Sequence, residues 1–297
     1  MQIKQNRTRV VCTALAVIAL ASLSLAGSAA AKLTGAYTVF QQCPWTNPEA
    51  NRCLHSVTEG GEVVLGTKKV PIVNPATLQG GYTESVGGFA KMVAAKNGIT
   101  LSKAPQPVPG GLAGIVPPES SPPLVKAAIA FFFENGLTGV DSTLELARPV
   151  NEVLLSEVHL GEEEGIALKL PLKIHLENPF LGESCYVGSS TSPVIWELTT
   201  GTTEPPGPNK PITGSAGAVT FLEGGRVLKT TGAVLVDNKW AAPSAKGCGG
   251  FLSFLVDPII NASTGLPAAA GKNTAVLKNT ITISPALAVK LNDEENP

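Results

Sequence analysis

Residues 166–176 read Ile-Ala-Leu-Lys-Leu-Pro-Leu-Lys-Ile-His-Leu, and this stretch decides the fold. Apolar side chains recur at every second position, with Lys169, Pro171, Lys173 and His175 between them. Successive side chains of an extended chain point to opposite faces, so this alternation predicts a β-strand with one buried and one polar face. Proline has no N–H to give to a ladder, so Pro171 predicts an edge strand or a bulge.

Outward from this strand, the same pattern recurs at 62–66, 150–160, 194–199, 218–223, 227–237 and 275–283. Gly224-Gly225 reads as a hairpin turn, and the run 161–165, three glutamates between two glycines, reads as another. Helices are few. Ser121, Pro122 and Pro123 open one that Gly136 stops, and its body is apolar nearly all round. Such a helix is expected to be buried or docked on a greasy partner. A second, short one is expected within 251–263, started or broken near Asp257-Pro258. Proline- and glycine-rich stretches at 102–123 and 201–214 read as connections, and the polar tail 292–297 as frayed. The expected fold is mainly β: an antiparallel β-sandwich or barrel with one or two inserted helices, stapled by disulfides. The expected organisation is a leader over 1–31, β-rich parts over 32–115 and 137–291, and a linker with the apolar helix over 116–136. The tail closes the chain, and 32–291 could form one domain.

Lys4, Arg7 and Arg9 precede an uncharged apolar run from residue 10 to 26, followed by Gly27, Ser28 and Ala29 to Ala31. A basic start, a short apolar run and a small-x-small end predict a secretory signal peptide cleaved after Ala31. No arginine pair is present, which points to the general secretory route, with the mature protein secreted or held in the cell envelope. The rest of the sequence has no run long and apolar enough to span a bilayer. Only 15% of residues are charged and the formal net charge is -1, so no basic face for nucleic acid is expected.

Four cysteines remain after the leader: Cys43, Cys53, Cys185 and Cys248. An even number in an exported chain implies disulfides, with three connectivities open. The expected pairs are Cys43 with Cys53, across a loop rich in turn residues, and Cys185 with Cys248. No C-x-x-C occurs, so neither a zinc site nor a redox pair is expected.

The chemistry is sparse. Gly182-Glu183-Ser184 begins like a nucleophile elbow, but Tyr186 stands where the second glycine belongs. Ser184 is thus a candidate nucleophile lacking its motif. His55, His159 and His175 are candidate bases, none in a metal-binding spacing. On the expected hairpin, His159 and His175 stand too far apart to share a metal, and His175 falls on the solvated face. Glu162 to Glu164 read as a solvated tip, not a cation site. Asp237 and Asp257 are a candidate carboxylate pair, although Asp237-Asn238 also suits a strand end. Trp45, Trp196 and Trp240 suit core packing better than sugar stacking. No cofactor or metal is expected.

Cys43-Pro44 through Cys53, Gly66 with Pro71-Ile72, Val108-Pro109-Gly110-Gly111-Leu112 and Gly247-Cys248-Gly249 carry a resemblance. Together they resemble uncharacterised secreted proteins of high-GC Gram-positive bacteria, some of whose relatives are labelled cholesterol esterase. The shared residues specify turns and bridges, and no catalytic motif comes with them. Two functions are expected in turn. The first is non-catalytic binding of a lipid, another apolar ligand or a surface partner; the alternative is an ester hydrolase of non-standard motif acting on lipid or sterol esters. A dry aliphatic cavity would favour binding; a serine or carboxylate beside a histidine in a pocket would favour hydrolysis.

Overall fold

The computed structural model describes residues 32–85, 88–114, 116–133 and 137–296, so the signal-peptide reading and the Gly136 stop lie outside the described residues. Eight strands form its frame: β1 (Arg52–Leu65), β2 (Ala76–Tyr82), β3 (Ala90–Val93), β4 (Leu154–Leu155), β5 (Leu168–Glu177), β6 (Val194–Leu198), β7 (Val227–Asp237) and β8 (Thr274–Pro285). From β1 to β6 each strand pairs antiparallel with the next in sequence, as do β7 with β8 and β8 with β1. The remaining seam, between β6 and β7, is closed just past β6 by an antiparallel bridge between Thr199 and Val236. There each residue's N–H donates to the other's carbonyl, at 3.0 and 2.8 Å. The ring is therefore an up-and-down barrel, closed at this last seam by a single bridge. Strands from 32–115 and from 137–291 share it.

Side-chain alternation sets the inside. Leu168, Leu170, Leu172, Ile174 and Leu176 of β5 all face the interior, as the period of two predicts. Between them Lys169, Lys173, His175 and Glu177 lie on the outer face. Pro171 sits in mid-barrel, not at an edge. Its carbonyl accepts from Ala147 N–H, so its ring nitrogen faces the same side, where β5 changes partner from β4 to the strand Asp141–Leu146. The missing donor falls at that gap.

The expected strand 150–160 and hairpin 161–165 are replaced by a 3-10 turn (Val150–Glu152), β4 and a short helix. Ser156 caps that helix by accepting from His159 N–H, a local bond that competes with strand pairing. Among the described residues four α-helices form in place of one or two: α1 (Pro123–Phe133), α2 (Glu157–Glu162), α3 (Ser253–Thr264) and α4 (Ala286–Glu295). The apolar α1 is not buried; Leu124 is 81% and Phe131 70% exposed. Pro258 neither breaks nor starts α3 but lies inside it. The tail is not frayed. It forms most of α4's last two turns, where the Asn292 side chain accepts from Thr34 N–H and donates to Thr34 Oγ1, and Asn296 O accepts from Lys32 N–H.

Both expected disulfides are present, Cys43–Cys53 and Cys185–Cys248. The first ties the N-terminal segment to the start of β1, within a second small core of Leu33, Tyr37, Phe40, Val227 and Val289. The second sits beside α3, where Asp257 accepts from the N–H groups of Gly247 and Cys248.

Candidate functional site

The barrel encloses an apolar cavity of about 140 Å³, lined mainly by leucine, isoleucine and valine. Eight strands leave an interior that side chains can fill or that can hold one small ligand. Here it is not filled, because β1, β2 and the connections present small side chains, among them Ser56, Thr58, Ala76 and Ala104.

At one end the lining is buried: Leu54, Leu155 and Leu160 of α2 are no more than 7% exposed, and Glu157 is fixed to the strands. The Glu157 carboxylate accepts from Tyr82 Oη at 2.8 Å and pairs with Arg52 Nε at 3.2 Å. Burial and this neighbouring carboxylate push the Tyr82 hydroxyl well above its usual pKa, so it remains a donor.

The other end is open. β1 stops at Leu65, turns through Gly66 and returns as the short strand Lys68–Pro71. Gly66 has φ +59°, and a side chain there would strike Thr264 O, so only glycine lets the turn meet the end of α3. Thr67 N–H donates to Thr264 O at 2.9 Å. Lys68, Leu112, Ile260, Ser263 and Thr264 line this mouth. Ser263 is exposed, so the cavity meets solvent here.

Most polar groups of the lining are committed to the protein. Gln106 makes four backbone bonds, with Val73, Asn74 (twice) and Ala104. Asn279 accepts from Thr58 and donates to Leu277 O, while the hydroxyls of Ser263 and Thr264 donate to Ile260 O. Trp196 lines the cavity, and its indole N–H has no partner among the described residues.

Ser184, His55, His159 and His175 are all absent from the lining. Ser184 Oγ donates to Gly247 O near the second disulfide. His159 is on α2, not on a strand, with Nδ1 3.0 Å from Ile166 O. His175 lies on the outer face of β5 but is not solvated: it stacks on Tyr186 at 4.4 Å, with Nδ1 3.5 Å from Glu177. His55, on β1, has its pKa lowered by burial. No hydrogen bond among the described residues joins any two of these four.

The glutamate run is not simply a solvated tip. Glu163 caps α2 in the left-handed region, and its carboxylate accepts from Ala216 N–H at 2.8 Å. Asp237 and Asp257 serve different places. Asp237 braces the β6–β7 seam by accepting from Glu197 N–H at 2.7 Å, and also caps Lys239 N–H. Burial raises its pKa, against the pull of those two donors. Trp196 and Trp240 pack together in the core, while Trp45 lies under the Lys96 ammonium. Among the described residues no cluster of His, Cys, Asp or Glu could hold a metal ion.

Lys68 escaped the sequence reading. The available signal was parity: Lys68 and Val70 stand two apart on a strand and share a face, and Val70 is apolar. Searches against protein-family models, curated proteins and solved structures found no match for this chain.

Proposed function

We propose that this protein is an exported, non-catalytic binder that holds an apolar ligand inside its barrel. The observation that carries the reading is the closed ring around a leucine-lined cavity open at one end. An apolar cavity of comparable size, about 150 Å³, stays dry in water and takes up benzene. Two disulfides agree with an oxidising compartment outside the cytosol, and the basic, apolar leader supplies the address. The ester-hydrolase alternative would need Ser184 brought to a histidine, and its hydroxyl is engaged by Gly247 O.

Native mass spectrometry of the mature protein, purified from the medium or the envelope of a producing cell, tests the reading. The expected result is one apolar molecule per chain, retained without turnover. Labelling of one serine by a fluorophosphonate, with steady hydrolysis of acyl esters, would replace binding with hydrolysis.

A further inference from the structure

Among the described residues the cavity wall carries one charge, the ammonium of Lys68, and no carboxylate. Lys68 is the Cα partner of Leu65, and it shares a face with Val63, Leu65 and Val70, all of which line the cavity. The stem is thus part of the wall, and the head stands where the wall meets water. A side chain at Gly114 (φ +65°) would come within 2.8 Å of Lys68 Nζ, so this glycine leaves the ammonium its space.

Neighbouring Lys69 is paired with Glu62 at 2.7 Å. Lys68 has no ion pair or hydrogen bond to any described residue. The other mouth hydroxyls, on Ser263 and Thr264, already donate to Ile260 O. A neutral chain would fill the barrel and leave this cation unanswered. One ammonium matches one negative charge, which favours a monoanion over a doubly charged phosphate.

We infer that the ligand is a long-chain carboxylate, its hydrocarbon in the barrel and its head on Lys68. This rests on the reading of the barrel as a binder of apolar ligands. A charge-assisted bond of this kind is worth roughly a tenfold gain in affinity.

Isothermal titration of the mature protein with decanoate and with decan-1-ol at neutral pH tests the inference, alongside the variants Lys68→Met and Lys68→Arg. The expected result is about tenfold tighter binding of decanoate. Lys68→Met should abolish that preference, and Lys68→Arg should keep it. Equal affinities in the unaltered protein would overturn the head assignment while leaving the barrel reading in place. So would a preference that survives Lys68→Met. Binding of neither compound would remove both.

Discussion

The two ends of the barrel each carry a cation, and the two are treated differently. Where β1 begins, Arg52 meets the carboxylate of Glu157, which also takes the Tyr82 hydroxyl, so strand and helix are latched together. Where β1 has ended and turned back, Lys68 has the cavity beside it, and no described residue of the cavity wall is a carboxylate. A structural charge is given its partner by the same chain. On the proposed reading, a charge left open at the edge of an apolar cavity is answered by the ligand. The surroundings follow the same division: Leu160 of α2 is buried at the latched end, while exposed Ser263 borders the open one.

The largest expected effect separates the two staples. Replacing Cys185 and Cys248 together by serine should cost about 4 kcal/mol, against about 3 kcal/mol for Cys43 and Cys53, because the longer loop gains more entropy when freed. Their spacings are 63 and 10 residues. Urea denaturation of the two double variants gives the ranking, and loss of the bridge beside α3, whose last turn lines the mouth, should also weaken ligand binding.

Breaking the latch comes next. Glu157→Ala strands a buried tyrosine hydroxyl and should lower stability by about 1–3 kcal/mol. The same change should leave decanoate affinity as it was, since Glu157 does not line the cavity. Lys68→Met should do the reverse, with stability within about 0.5 kcal/mol of the unaltered protein and selectivity lost. Measuring both variants by denaturation and by titration sharpens the contrast between the ends.

The smallest effect is on pH. His55 lies on β1 three residues from Arg52, and burial holds its pKa below the ordinary value of 6.5. Between that lowered pKa and 6.5 the unfolded chain binds more protons, so stability falls as pH drops through this window and is regained as pH rises. His55→Gln should flatten this part of the stability-against-pH curve; an unchanged slope would place its origin elsewhere.

Much of the frame was legible in the sequence. The alternation at 166–176, the turn at Gly224-Gly225 and the pairing of Cys43 with Cys53 across a turn-rich loop all express local rules that the structure obeys. What escaped is non-local. β2 contains Gly80 and Gly81, which weaken a strand signal but are required by packing: a side chain at Gly80 would meet Val93 O, and one at Gly81 the Ala50 side chain. β4 is two residues long and gains its identity only from β3 and β5 beside it. Residues 292–297 read as a polar tail because the hold of Asn292 on Thr34 lies more than 250 positions away in sequence. The site was harder still. Its lining is ordinary core leucine, and its charge is one of two adjacent lysines, which only the register with β1 assigns to opposite faces.

Crystals of the mature protein soaked with ω-bromodecanoate would test the central claim most directly. The anomalous bromine peak is predicted inside the ring, among Leu170, Leu172 and Trp196, with the carboxylate at Lys68 Nζ. A peak on the outer face of the strands, or the carboxylate buried beside α2 with the bromine at the mouth, would contradict it.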